Sequence, residues 1–147
     1  MEIEFINVSY SENINTPLEK VYLKNISFKI DKGINVFLGD SKSGKEKIPE
    51  LINAVCKPTK GIIKVGKYTN DGKLIKNINN LRMNIGYSKL NPNDMIFNKT
   101  VREELSFGIN NFKYKLDKKE ERLINSLKMV NLEESVINER IDSLSII

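Results

Sequence analysis

The sequence predicts an α/β fold in which antiparallel strands feed one core strand, a phosphate-binding loop and a helix, with a helical segment behind them. Three observations carry that expectation. In residues 34–56, INVFLGDSKSGKEKIPELINAVC, a short apolar run (Ile34, Val36, Phe37, Leu38) meets a glycine-bracketed loop, and Ile48, Leu51, Ile52 and Val55 then recur at helical spacing. Upstream, short apolar runs separated by Asn, Pro and Gly read as strands. Downstream, two stretches place a cap residue three positions before a glutamate, the pattern that opens a helix.

The composition fits that architecture. With 147 residues, 39% hydrophobic and 29% charged, the chain is about one globular domain long and can bury a sizeable core. No run approaches the length of apolar residues that a membrane-spanning helix needs, and MEIEFINVSY does not resemble a secretory signal, so a cytoplasmic location is expected. The single cysteine, Cys56, agrees, since one thiol builds no disulfide framework; it reads as a small core residue at an apolar helix end. The net charge of +5 comes from 24 Lys plus Arg against 19 Asp plus Glu. These cations are spread along the chain without aromatic interleaving, so no nucleic-acid partner is expected. The chain contains no histidine, which excludes any mechanism that needs one from its own residues.

Taken in order, residues 2–8 carry Ile3, Phe5, Ile6 and Val8 and read as a first strand, and the polar residues 9–20 as a loop. Val21 and Leu23 lie on one parity, and Ile26, Phe28 and Ile30 on the other. The apolar face therefore shifts by one residue near Lys24-Asn25, as a bulge or a break between two strands would produce. Asp31-Lys32-Gly33 is a turn returning the chain into a buried strand over residues 34–38. After the loop helix, Lys57-Pro58-Thr59-Lys60-Gly61 breaks the pattern, Ile62, Ile63 and Val65 form another strand, and Thr69-Asn70-Asp71-Gly72 turns again. A helical turn near residues 78–82 precedes a short strand, Ile85-Gly86-Tyr87. Thr100-Val101-Arg102-Glu103 and Asp117-Lys118-Lys119-Glu120 open two helices. Their stripes, Val101, Leu105 and Ile109, then Leu123, Ile124, Leu127 and Val130, read as packing faces.

The loop carries the chemistry. Gly39-Asp40-Ser41-Lys42-Ser43-Gly44-Lys45 fits the first seven positions of G-x-x-x-x-G-K-[ST], and Glu46 stands where the pattern requires Ser or Thr. Two glycines let the backbone N–H groups turn around an anion, and the following helix adds its positive end. Lys45 would reach the β- and γ-phosphates of a nucleotide, and the hydroxyl that normally follows it would hold Mg²⁺. Glu46 has no hydroxyl. The bland alternative is a Gly-containing turn that binds nothing.

Together these residues resemble the ATP-binding subunit of ABC transporters, most closely the energy-coupling-factor kind that drives vitamin and cobalt or nickel uptake. The likeness covers nearly the whole chain. It rests on Asn7-Val8-Ser9-Tyr10, Thr16-Pro17-Leu18-Glu19-Lys20, Leu23-Lys24-Asn25-Ile26-Ser27-Phe28-Lys29-Ile30, the loop, Lys57-Pro58-Thr59-x-Gly61, and Phe97-x-x-Thr100-Val101-x-Glu103-Glu104-Leu105-x-Phe107-Gly108. The resemblance implies the fold of a phosphate-loop NTPase, with residues 1–147 as the N-terminal part of an ABC nucleotide-binding domain. It implies ATP and Mg²⁺ as ligands, a transmembrane transporter subunit and a second ATP-binding subunit as partners, and a peripheral place on the inner face of the cell membrane. The stretch from Phe97 to Gly108 would help face the transmembrane partner. The cofactor-binding residues are then Gly39, Asp40, Ser41, Lys42, Ser43, Gly44, Lys45 and Glu46, with Tyr10 available to stack on the base; no catalytic or metal-binding residue is assigned.

The chain departs from the family where catalysis would be expected. Glu12 stands where an aromatic residue would stack on adenine. Lys42 replaces a loop glycine, and Glu46 replaces the Mg²⁺-binding hydroxyl. Leu90 falls where a glutamine would sense Mg²⁺ and water, and Leu144-Ser145-Ile146-Ile147 looks like a signature motif with both glycines replaced. The expectation is a subunit powering uptake of a small solute, truncated and impaired in hydrolysis. The alternative is a non-catalytic remnant or a binding module without nucleotide function.

Overall fold

The computed structural model describes residues 1–73, 75, 78–111 and 118–144. They form two compact units, Met1–Tyr87 and Ser88–Ile147. No described helix is long and apolar enough to cross a membrane.

The first unit is built on a four-stranded antiparallel sheet, β1 (Ile3–Glu12), β2 (Lys20–Ile30), β3 (Lys60–Val65) and β4 (Tyr68–Asn70), in the order β2-β1-β3-β4. β1 runs to Glu12, four residues beyond the expected end at Val8. The predicted loop therefore shrinks to residues 13–19, because Ser9 and Tyr10 to Glu12 find ladder partners on both sides. The parity shift in β2 is a bulge, as expected. Asn25 sits at φ 50°, and a matching bulge in β1 sits at Asn7, also φ 50°, in the left-handed region that Asn tolerates better than other side chains. The two bulges answer one another. The Asn7 amide donates to Ser27 Oγ at 2.8 Å and the Asn25 amide to Ser9 Oγ at 2.9 Å, so the repeated Asn-x-Ser in Asn7-Val8-Ser9 and Asn25-Ile26-Ser27 satisfies each bulge from the other strand.

The Lys57-Pro58-Thr59-x-Gly61 stretch is equally structural. Thr59 donates both its amide (2.8 Å) and its hydroxyl (2.9 Å) to the Ser9 carbonyl. Gly61, at φ 80°, lies against the β1 bulge, where a Cβ would come within 2.3 Å of the Asn7 carbonyl oxygen. No side chain fits there. One face of the sheet buries Phe5, Val8, Tyr10, Leu23, Ile63 and Val65 against Ile48 and Leu51 of α1 (Lys47–Ile52) and Leu81 of α2 (Ile78–Arg82). Cys56 packs against this core, as expected; burial, with the Glu50 charge nearby, pushes its thiol up to about 11.

Three expectations fail in this unit. Residues 34–38 are not a strand, and Ile34, Val36 and Leu38 are 97%, 72% and 91% exposed. A strand apolar on both sides needs ladder partners and cover on each face, and the described residues supply neither; only Phe37 is held, edge-on to Phe28 at 5.5 Å. Ile85-Gly86-Tyr87 likewise forms no strand. Asn70 belongs to β4 and not to the turn, because its buried side chain donates to the carbonyls of Leu51 (3.0 Å) and Cys56 (3.2 Å) and ties the strand to the end of α1.

The second unit packs α3 (Val101–Asn111) and α4 (Lys119–Met129) with a one-turn helix at Glu134–Asn138, around Val101, Leu123, Leu127 and Ile137. Leu105, Ile109 and Ile124 flank this cluster as expected, whereas Val130 caps α4 and is 65% exposed. The Thr100/Glu103 capping box forms. Thr100 donates its amide to Glu103 Oε2 at 3.1 Å, and the Glu103 amide donates to Thr100 Oγ1 at 3.3 Å. The counterpart at Asp117 lies outside the described residues. Thr100→Ala is expected to lower stability by ~1 kcal/mol, the usual loss for an N-cap, read as a lower Tm with no change in helix content at low temperature.

Candidate functional site

The loop over residues 39–46 leaves the exposed apolar run and ends in α1, whose six residues make under two turns. Its shape comes from two residues in the left-handed region, Lys42 (φ 67°) and Gly44 (φ 88°). Gly44 is pressed against β2: a Cβ there would lie 2.5 Å from the Tyr22 carbonyl oxygen, so this glycine is required by close approach. Lys42 carries a side chain in a backbone conformation that favours glycine. The Ser43 amide donates to the Asp40 carbonyl (3.2 Å), and the Lys47 amide closes on the Gly44 carbonyl (2.9 Å). Among the described residues the amides of Ser41, Lys42, Gly44 and Lys45 donate to no protein acceptor; Ser41 and Lys42 are exposed, whereas Gly44 is buried.

Lys45 turns back over this loop. Its ammonium donates to the Asp40 carbonyl at 2.8 Å and lies 3.2 Å from Glu46 Oε1. A hydrogen bond from its own backbone and the Lys45 charge hold the Glu46 carboxyl below the ordinary carboxylate range, so it is ionised at neutral pH. Gly39, Asp40, Ser41, Lys42, Ser43, Gly44, Lys45 and Glu46 stand in one loop, and the Lys45 cation is paired within it. Under the loop, Leu23, Ile26, Phe28, Phe37, Leu38 and Ile48 line an apolar cleft of about 290 Å³ with Ser43 and Lys45 at its rim.

Tyr10 goes elsewhere. It is 9% exposed in the core of the first unit, tilted against Tyr22 at 5.9 Å, with its hydroxyl on Glu12 Oε1 at 3.3 Å. A ring so covered offers no face to a base, so the stacking role expected for it is not matched by its placement. Burial and the carboxylate of Glu12 raise its phenol well above the ordinary range. Leu90 is 97% exposed. Leu144 packs against the second unit's core, and Ser145-Ile146-Ile147 of the signature-like stretch lie outside the described residues.

For Mg²⁺ the residues fit poorly. Among the described residues no three acids, cysteines or histidines cluster as a metal site would need, and Glu46 is engaged by Lys45. Nucleotide phosphates fit better, through the amides of the exposed Ser41 and Lys42 and the lysine.

Sequence reasoning missed a cluster beside the loop. Glu12, noted only as a lost aromatic, accepts from Lys47 Nζ (2.8 Å), Tyr22 (2.8 Å) and Tyr10. Lys47 also bonds Glu50 Oε2 at 3.0 Å. The i,i+3 spacing of Lys47 and Glu50 was the only part visible in the sequence. In the second unit, Glu104 Oε2 accepts from the amides of Phe97 and Asn98 and from the Asn98 side chain, at 2.9–3.1 Å, so the second glutamate of the Phe97–Gly108 stretch fixes the segment before α3. Phe97 and Phe107, 6.1 Å apart, stay 72% and 50% exposed.

Comparisons with known proteins identify the family. The family model described as ABC transporter matches residues 23–146. The energy-coupling factor transporter ATP-binding protein EcfA3 of Oenococcus oeni is 36% identical over 139 residues, 93% of this chain and 48% of the relative. EcfA2 of Streptococcus pyogenes is 33% identical over 148 residues, 99% of this chain and 52% of its own length. The chain therefore spans about half the length of these curated relatives. Among solved structures, cbiO1 from Clostridium perfringens, part of the ABC transporter complex cbiONQ, superposes with a TM-score of 0.75 at 26% identity over 97% of this chain and 55% of that one. The ATP-binding cassette MJ0796, in a dimeric post-hydrolysis state with ADP and Pi, shares the fold at TM-score 0.78 and 24% identity, over 97% of this chain and 63% of that one. With most of its residues inside that family model, the chain belongs to the ABC transporter family, and energy-coupling-factor ATP-binding proteins are among the relatives it is similar to.

Proposed function

We propose that residues 1–147 form the N-terminal part of the nucleotide-binding domain of a transporter ATP-binding subunit that powers uptake of a small solute, and that they bind nucleotide weakly and do not hydrolyse it on their own. The observation that carries this reading is the loop over residues 39–46, with the amides of the exposed Ser41 and Lys42 free of protein acceptors and Lys45 beside them. ATP is its ligand, with Mg²⁺ arriving on the phosphates more than on protein ligands. The partners are a transmembrane subunit, met by the exposed pair Phe97 and Phe107, and a second ATP-binding subunit. Such an assembly places the chain peripherally on the cytoplasmic face of the membrane.

A second reading, a remnant without nucleotide function, is favoured by one feature: Lys45 is already neutralised by Glu46. Titration calorimetry with ATP and GTP, each with and without Mg²⁺, separates the two. Weak binding, equal for both bases because Tyr10 is buried, is the expected result. Absence of binding supports the remnant, and tight, adenine-selective binding of Mg-ATP would overturn both.

A further inference from the structure

We propose that Lys47 is a positioning residue: an internal cation, caged by Glu12, Glu50, Tyr10 and Tyr22, that fastens the junction of loop and α1 to the first two strands and so holds the loop in its anion-ready shape. The part concerning nucleotide rests on the function proposed above; the part concerning the loop does not.

The Lys47 ammonium lies 2.8 Å from Glu12 Oε1 on β1 and 3.0 Å from Glu50 Oε2 on α1. It also sits 5.6 Å and 5.0 Å from the ring centroids of Tyr10 and Tyr22, within reach of both aromatic faces. The Tyr22 and Tyr10 hydroxyls donate to the two oxygens of Glu12, at 2.8 Å and 3.3 Å, so that carboxylate is fully engaged and fixed in direction. The Lys47 side chain is only 18% exposed. Burial would drive its proton off, but the hydrogen bonds and charges of Glu12 and Glu50 outweigh that and raise its affinity for the proton, while Lys47 and Tyr22 hold Glu12 ionised.

The same residue grips the loop through its backbone, since the Lys47 amide donates to the Gly44 carbonyl at 2.9 Å. Gly44 in turn abuts the carbonyl of Tyr22, whose hydroxyl closes the cage from the other end. Side chain and main chain of Lys47 therefore join the sheet to the loop by two routes. Without the ammonium, two carboxylates remain beside each other with no counter-charge, and the junction opens.

Hydrogen–deuterium exchange by mass spectrometry on the full chain at low concentration tests this. Lys47→Met and Glu12→Gln are each expected to speed exchange of the hydrogen-bonded amides of Ser43, Lys47 and Ile48, read in the peptide over residues 39–48, by about fivefold or more, the scale of a lost charge-assisted hydrogen bond. Exchange in β3 should stay unchanged, Lys47→Arg should keep most of the protection, and the Glu12→Gln/Lys47→Met double variant should add little to either single one. Unchanged loop exchange in Lys47→Met overturns the proposal. So does an equal rise in β3, which marks a merely global loss of stability, or a loss in Lys47→Arg as large as in Lys47→Met. Calorimetry on the same variants supplies the second arm. If the wild type binds ATP, affinity should fall in step with loop protection, and unaltered affinity despite faster exchange overturns the link to binding. If the wild type binds none, the functional reading fails while the exchange result still decides the cage.

Discussion

At micromolar concentration the chain is expected to self-associate, and the double substitution Ile34→Lys/Leu38→Lys to return it to a monomer. Residues 34–38 expose Ile34 and Leu38 almost fully and Val36 largely, on backbone that has no ladder partner among the described residues. Apolar, extended and unpaired backbone is a template for pairing with another chain. Burying one Ile or Leu side chain is worth ~2 kcal/mol, so removing two should weaken association by up to roughly a thousandfold. The sheet should be untouched, because neither side chain belongs to the core around Phe5, Leu51 and Ile63. Light scattering coupled to size exclusion, with circular dichroism as the control for folding, reads both effects. A wild-type chain that elutes as a monomer with a sharp, cooperative melt would show that this run finds cover within one molecule.

Lys45→Ala is expected to remove nucleotide binding altogether, and Glu46→Ser to strengthen it. A charge-assisted hydrogen bond is worth ~1.5–3 kcal/mol, so losing the Lys45 contact weakens an already weak site by about ten- to a hundredfold, beyond calorimetric detection. Glu46 acts in the opposite sense. Its ionised carboxylate neutralises Lys45 and would repel the phosphates of the proposed nucleotide. Because both groups face solvent, salt screens the effect, and a gain of roughly fivefold at low ionic strength is expected, shrinking as salt rises. Glu46→Gln should recover the charge part alone, and neither variant should hydrolyse ATP. If Glu46→Ser instead weakens binding of Mg-nucleotide and leaves metal-free binding unchanged, Glu46 is a working metal ligand.

These two expectations come from different depths of the sequence. The loop over residues 39–46, the capping box at Thr100 and Glu103, the apolar stripes of α3 and α4 and the bulge near Asn25 were all legible, because each is written in residues a few positions apart. Local spacing fixes turn chemistry, helix starts and strand parity before any tertiary contact exists. The likeness to an ABC ATP-binding subunit rested on the same local stretches. Several of them turned out to be scaffold: Asn7-Val8-Ser9, Asn25-Ile26-Ser27, Thr59 and Gly61 shape and join strands and touch no candidate ligand position.

What only the tertiary structure decided is everything that depends on partners far apart in the chain. Residues 34–38 have the pattern of a buried strand, but burial requires neighbours, and pattern alone does not provide them. Tyr10 stands two residues from Glu12 in the sequence, but alternation along β1 turns its ring into the core. Glu12, Tyr22, Lys47 and Glu50 come from two strands and a helix, so beyond the i,i+3 step from Lys47 to Glu50 no spacing rule connects them, and their meeting follows from how α1 lies against the sheet. A charge is read from one residue, whereas its counter-charge is set by the fold.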